Sequence, residues 1–346
     1  MKIFLTGGTG FIGQSLTQAL MARGWHIVSF IYRPDNSKTG VMARSDTQYV
    51  TGDVTDRESM RAGMQGADIV VHNAGWYELG VDGSGRKHMQ AVNVIGTDNV
   101  LSLALELGVP RTVYVSSTAF WGETGAEACD ETYQRQKSYN SYYEQTKAEA
   151  HDIAQQYQQR GLPLILVCPN AVVGPNDHSN YGYFLRMYLN HLMAPYGWAP
   201  DVISSLVYVN DVGEGIALAA EKGRIGETYI LAGDPTTMRE MVEIWNSKPG
   251  GFKINSYMPT WLAKMMFAPV EPLERLGGLP AVVSRETVRA SVSMNYSSEK
   301  ARRELGWTYL PAREMWIGII DRELELLAGR KKRDLVSRLK PVEGNE

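Results

Sequence analysis

Short apolar runs alternate with stretches of helical periodicity through the first half of the chain, which predicts strands and helices in succession. Ile3-Phe4-Leu5 is the first strand, and Ile12, Leu16, Ala19 and Leu20 recur on one face of the helix after it. Residues 27–32 read as the second strand, 49–50 as a short third, 68–72 as the fourth, 112–117 as the fifth and 164–168 as the sixth. Thr55 and Glu58 have capping-box spacing and predict a helix through Met60 and Met64. Another helix runs from about Asn93 through Val100, Leu101, Leu103 and Leu107 and stops at Gly108 and Pro110. The helix bearing Tyr143 and Lys147 runs to Arg160-Gly161. This alternation predicts an α/β fold, a doubly wound parallel sheet of Rossmann type.

After Pro169 the alternation stops, and residues 170–204 are rich in Gly, Pro, Asn and aromatics, as pocket-shaping loops are. A short β segment at 206–209 leads into a helix begun at Asn210 or Asp211, and Ser297-Ser298-Glu299-Lys300 starts a helix closed by Gly306. The expected division is a dinucleotide-binding domain over residues 1–175, rejoined by about 205–235. Residues 176–204 and 236–330 form a smaller, mostly helical C-terminal substrate lobe, and 331–346 a tail. Residues 258–268 are amphipathic and methionine-rich, fitting a lid, a dimer contact or a helix packed on that lobe.

The 346 residues are 44% hydrophobic and 21% charged with a net charge of -3, and acids and bases are interspersed. This balance argues against a nucleic-acid-binding surface. Two cysteines make no disulfide framework, and the six scattered histidines offer no metal-ligand spacing, so no metal is expected. Cys168 sits in an apolar run and reads as a core residue. The chain opens directly on a strand and no apolar run reaches ~18–20 residues, so the expectation is a cytoplasmic protein without membrane attachment. The basic run 330–333 reads as a solvated helix end.

Thr6-Gly7-Gly8-Thr9-Gly10-Phe11-Ile12-Gly13 stands between a strand and a helix, where glycines mark dinucleotide binding. Gly7 allows the tight turn, Gly10 lets the backbone approach a pyrophosphate, and Gly13 lets the helix pack on the strand. Tyr143 and Lys147 lie four apart and share one helix face. A phenol ionises near pH ~10, so acid/base work near neutrality asks for about 4 kcal/mol of phenolate stabilisation, which a nearby ammonium in a partly desolvated site supplies. Ser116-Ser117-Thr118 ends the fifth strand, at the sheet edge where open α/β sheets bind ligands. A hydroxyl there can polarise a substrate carbonyl.

The glycine run, Gly52-Asp53-Val54, His72-Asn73-Ala74-Gly75, Asn93-Val94-Ile95-Gly96-Thr97, Val115-Ser116-Ser117, Tyr143-x-x-x-Lys147 and Gly174-Pro175 together resemble the extended short-chain dehydrogenase/reductases. This superfamily includes NAD-dependent epimerases, dehydratases and dihydroflavonol-reductase-like enzymes. The resemblance covers roughly 1–235, with a weaker echo at 297–307. It implies that Tyr143 is the general acid/base, that Lys147 tunes it and anchors the cofactor ribose, and that Ser117 polarises the carbonyl, with Thr118 as the fallback. It also places Gly7, Gly10, Phe11, Ile12, Gly13, Asp53, Val54, Asn73, Ala74, Gly75, Lys147 and Pro169 at the cofactor, Asp53 against the adenine. His72 reads as a packed, hydrogen-bonded residue and Asn93 as a structural support.

No carboxylate stands at the end of the second strand, whereas Arg33 is placed to pair with a 2′-phosphate, helped by Lys38. The expected cofactor is therefore NADP, with NAD open should Asp35 fold back to the ribose. The leading expectation is a reductase of a ketone or aldehyde, with aromatic candidates Trp76, Tyr77, Tyr181, Tyr183, Phe184, Tyr196 and Trp198 near a small-molecule substrate. A nucleotide-sugar epimerase holding NAD tightly is the alternative, with Arg186, Arg239 and Arg285 as its available basic groups. Dehydration lacks an acidic pair beside Ser117, and a non-catalytic NADP sensor would lack Tyr143 or Lys147. A homodimer is left open.

Overall fold

Apolar residues fill both faces of six of seven strands, as a sheet covered on both sides by helices requires, and the remaining, partly exposed strand lies at one edge. The computed structural model describes residues 1–32, 47–193, 195–248, 252–258, 261–262, 265, 285–328 and 339. The strands are β1 (Lys2–Thr6), β2 (His26–Ile31), β3 (Thr47–Thr51), β4 (Ile69–His72), β5 (Thr112–Val115), β6 (Leu164–Pro169) and β7 (Thr228–Leu231). They form one parallel sheet in the order 7-6-5-4-1-2-3. Strand order reverses between β1 and β4, and the crevice at their carboxyl ends is where such sheets bind ligands.

Nine helices matter to the site and its supports: α1 (Phe11–Ala22), α2 (Gly83–Gln90), α3 (Gly96–Glu106), α4 (Tyr142–Gln159), α5 (Asn180–Leu189), α6 (Val209–Lys222), α7 (Met238–Asn246), α8 (Glu299–Leu305) and α9 (Ala312–Ala328). On one face Ile3, Leu5, Val71 and Val113 pack with Leu16 and Leu20 of α1 and Ile216 of α6. On the other, Phe4, Val28, Val70 and Tyr114 pack with Val100 of α3 and Ala150 and Ala154 of α4. The alternation of neighbouring strand residues between these two cores is the period-two pattern of a strand.

A third core joins Leu185 and Tyr188 of α5, Met241 and Trp245 of α7, and Trp316 and Ile320 of α9. An ion pair lies within this lobe: Arg186 and Glu323 approach to 3.3 Å with both side chains almost fully buried. The same Glu323 accepts from the Asn176 N–H at 2.6 Å, and Arg186 donates to the Asp177 carbonyl at 2.7 Å. This network fixes the 176–177 turn where the chain leaves the sheet for the lobe.

Three helix starts differ from the sequence expectation. Asp56, not Thr55, caps the first turn after β3: its carboxylate accepts from the Glu58 N–H above a 3-10 turn, Arg57–Met60. A capping box is formed instead by Thr237 with Glu240, at the start of α7. The helix expected from Asn93 begins ten residues earlier, because Asp82 accepts from the Gly85 N–H and the Ser84 hydroxyl and so nucleates α2 in a glycine-rich stretch. A π turn, Ala91–Ile95, joins α2 to α3. At α8 the Ser298 hydroxyl donates to the Ala232 carbonyl and makes no cap bond.

Candidate active site

The glycine turn is held by steric necessity. Gly7 has φ +72°, and a Cβ there would lie 2.6 Å from the Ala74 nitrogen; a Cβ on Gly13 would lie 1.9 Å from the Gly7 carbonyl oxygen. The Asn73 amide donates to that same oxygen at 3.1 Å, and the Ala74 N–H donates to Thr6 Oγ1 at 3.2 Å. Gly10 is exposed at the N-cap of α1, where no side chain caps the helix and no acid stands in its first turn. The first-turn N–H groups of α1 are thus left uncapped behind a turn whose close packing tolerates no Cβ at Gly7 or Gly13, which suits a dinucleotide pyrophosphate. Phe11 is half-buried, edge-on to the His178 ring at 6.4 Å, and Ile12 packs on the core.

Beside this turn, Thr6, His72 and Tyr114 stand in register across β1, β4 and β5. His72 bonds through both ring nitrogens, Nδ1 to Thr6 Oγ1 at 2.8 Å and Nε2 to Thr97 Oγ1 at 3.1 Å, and stacks on Tyr114. Burial, reinforced by the Lys147 charge, holds its pKa at about 3, so it is neutral and structural. Asn93 sits in the π turn; it accepts from the Trp76 N–H at 2.7 Å and donates to the Trp76 carbonyl at 2.9 Å and to Thr146 Oγ1 at 3.1 Å. It pins the loop after β4 to α4.

The Ser141 hydroxyl caps α4 by accepting from the Glu144 N–H. From this helix Lys147 is buried, donating to the Val115 carbonyl at 3.2 Å and the Tyr114 hydroxyl at 3.3 Å. Burial pulls its ammonium below the ordinary value, while Tyr143 and Cys168 act in the opposite direction. Tyr143 is half-buried one turn earlier, with the Tyr77 ring edge-on to it at 4.8 Å and 89°. Asp177 and Tyr181 lie near enough to act on the Tyr77 phenol. The Asp177 carboxyl is pushed up to about 6 by burial, against its bonds from Ser179.

The three hydroxyls after β5 are not equivalent. Ser116 is buried against His151 Nδ1 at 3.0 Å, and Thr118 is buried and donates to Asn170 Oδ1 at 2.8 Å. Ser117 is only half-buried; its Oγ accepts from the Ala119 N–H at 3.1 Å, and among the described residues no acceptor takes its proton. The structure thus leaves Ser117 open and commits Thr118 elsewhere.

Asp53 makes a turn, with Oδ1 accepting from the Thr55 N–H at 2.8 Å. Val54 is buried and its carbonyl accepts from Asn99 at 3.0 Å. Gly75 is exposed, and Pro169 is buried at the end of β6. Arg33, Asp35 and Lys38 lie outside the described residues, as do the Arg285 side chain and most of 258–268. Among the aromatic candidates, Trp76 meets His88 and Phe184 meets Trp198 edge to face, Tyr183 borders Phe184, and Tyr196 is exposed on a short ribbon with Ser256–Met258.

Several supports carry no signal in the sequence reading. Asn170 joins Thr118 to the Ser205 and Met294 carbonyls. Glu286 accepts from the Gly80 N–H at 2.7 Å and from the Tyr142 N–H at 3.3 Å, reaching from the lobe to the first turn of α4. His151, stacked on Phe120 at 3.5 Å, was the findable one, since it lies one turn beyond Lys147 on the same helix face. Among the described residues no group of three or more His, Cys, Asp or Glu is arranged to hold a metal, and no helix is long and apolar enough to cross a membrane.

Burial, with Lys147 second, also holds His151 at about 3. A folded-state value below the ordinary ~6.5 means that unfolding takes up a proton as the pH falls below 6.5, so stability drops over that window and is constant above it. The raised Asp177 works the other way between its ordinary ~3.9 and about 6. In His151→Gln, the slope of unfolding free energy against pH between 6 and 4.5 should fall by about 1.4 kcal/mol per pH unit. Equal slopes in urea titrations of the two proteins would mean that His151 is charged in the folded state.

Comparison with known proteins agrees with this geometry. Residues 3–232 match the NAD dependent epimerase/dehydratase family. A protein of Synechocystis sp. provisionally named dihydroflavonol 4-reductase is 30% identical over 88% of this chain and 89% of its own length. The 4-hydroxy-2-methyl-3-oxo-4-farnesyl-3,4-dihydroquinoline-1-oxide ketoreductase of Stigmatella aurantiaca is 28% identical over 89% of this chain and 92% of its own. The crystal structure of gox2253 superposes with a TM-score of 0.78 at 29% identity, covering 94% of this chain and 98% of that one. The chain therefore belongs to the NAD dependent epimerase/dehydratase family, and it is a nicotinamide-dependent enzyme of that oxidoreductase and epimerase class.

Proposed function

We propose that this enzyme reduces a ketone or aldehyde, or oxidises the corresponding alcohol, with Tyr143 as general acid/base. The observation that carries the reading is that Ser117, the one hydroxyl of its trio with no bonded acceptor among the described residues, follows two residues after the Val115 carbonyl that the buried Lys147 ammonium meets, with Tyr143 one helical turn before Lys147. A bound nicotinamide coenzyme supplies the hydride. Gly7, Gly10, Phe11, Ile12 and Gly13 would hold its pyrophosphate; Asn73, Ala74, Gly75, Asp53, Val54 and Pro169 would border it, and Lys147 would reach its ribose. Because Ser117 Oγ already accepts from Ala119, its proton is left to donate to the substrate oxygen. Tyr143 then gives its proton to the same oxygen, with the Lys147 ammonium one helical turn away.

The coenzyme we assign is NADP(H), because the sequence that follows β2 reads Tyr32-Arg33-Pro34, with no carboxylate for a ribose 2′-hydroxyl and a guanidinium for a 2′-phosphate. Aromatic surfaces around Tyr143 suit a ring-bearing or apolar carbonyl compound, and the two relatives' names are those of reductases. The nucleotide-sugar alternative would use Arg186 or Arg239, yet Arg186 is buried against Glu323 and Arg239 is drawn to Asp201 and lies over the Tyr257 ring.

Tyr143→Phe tests the assignment. Turnover of a carbonyl substrate found by a ketone panel should fall by roughly 10²–10⁴-fold, with NADPH affinity, read by fluorescence titration, within about twofold of the parent. Full activity in this variant would remove Tyr143 from the chemistry.

A further inference from the structure

Residues 122–141 link the Ser117 corner to the start of α4, and one side chain in that loop touches both ends. Arg135 Nε donates to the Phe120 carbonyl at 2.7 Å, and its Nη2 donates to the Ala119 carbonyl. Its Nη1 donates to Glu144 Oε2 at 3.2 Å, an ion pair that is largely buried on both sides. The guanidinium lies over the Tyr139 ring at 4.4 Å. Glu144 follows Tyr143 directly, and its Oε2 also accepts from the Asn140 N–H at 3.0 Å. Ala119, whose carbonyl Arg135 holds, is the residue whose N–H orients Ser117 Oγ.

We propose that Arg135 is a positioning residue that sets the separation between the Ser117 hydroxyl and the Tyr143 phenol. The planar fork of a guanidinium holds two consecutive carbonyls on one side and a carboxylate on the other, which a lysine cannot match. The strut ties the hydroxyl that polarises the substrate to the helix turn that carries the acid. Its catalytic consequence rests on the reductase reading above; its mechanical consequence does not. Ångström-scale misplacement of such a pair costs roughly a hundredfold in rate.

The test uses two variants of the full chain. Arg135→Met alone strands the Glu144 charge, so it is combined with Glu144→Gln, which keeps an acceptor for the Asn140 N–H; Arg135→Lys is the conservative partner. With a carbonyl substrate of the parent enzyme, kcat in the double variant should drop by roughly 10–100-fold, while KM and NADPH affinity stay within about twofold. Arg135→Lys should recover part of that loss. Amide hydrogen exchange should quicken together at 117–122 and 140–144 and stay unchanged in α1. An unchanged kcat, or lost NADPH affinity with faster exchange throughout, would overturn the proposal. If the parent reduces no carbonyl compound, the reductase reading fails and exchange alone decides: paired local quickening supports the strut, and its absence refutes it.

Discussion

The buried ammonium of Lys147 is the constraint on which the site depends. An ion taken out of water costs several kcal/mol unless polar groups replace its hydration. Among the described residues no carboxylate pairs with it; it is met by the Val115 carbonyl, the Tyr114 hydroxyl and the face of the Tyr114 ring at 5.1 Å. The two nearby histidines, His72 and His151, are themselves held neutral by burial and then by this charge. One positive charge therefore dominates a partly desolvated region beside a phenol. A net cation with neutral neighbours is what a proton-donating tyrosine needs, since the charge is not cancelled before the phenolate forms.

The scaffold makes that burial tolerable. Thr6, His72 and Tyr114 form a row across three adjacent strand ends, and each is satisfied by the next or by Thr97 and Lys147. The row sits at the switch point of the sheet, directly beside the glycine turn that Asn73 and Thr6 secure. Asn93 and Thr146 then lock the loop after β4 onto α4. The glycine turn, the loop after β4 and the Lys147 ammonium are therefore tied together by one set of hydrogen bonds.

Much of this was legible in the sequence because it follows local periodicity. Tyr143 and Lys147 are one helical turn apart, and six of the seven sheet strands appear as apolar runs of the observed length to within a few residues; Thr228–Leu231, four residues long, is not among the strands expected from the sequence. Gly7 and Gly13 are demanded by backbone approaches that no Cβ permits. What stayed hidden depends on tertiary contact. Arg135 and Asn170 lie in loops and Glu286 in the five-residue helix Arg285–Arg289, too short to show a period, so nothing in the sequence says which carbonyl or N–H each will meet. Thr55 and Asp56 both fit a helix start, and only the folded turn shows that the Asp56 carboxylate reaches the Glu58 N–H. Choosing among Ser116, Ser117 and Thr118 likewise required the partners His151 and Asn170, which are distant in sequence.

The most direct test of a net reductase built on this pair is the nucleotide that accompanies the purified protein. A reductase must exchange its coenzyme at every turnover, whereas an epimerase cycle returns the hydride to the same substrate and keeps it. A net reductase should purify with a largely empty site that binds free NADPH more tightly than NADH and releases it on dilution. Stoichiometric NAD that survives gel filtration and does not exchange with added nucleotide would contradict the reductase reading.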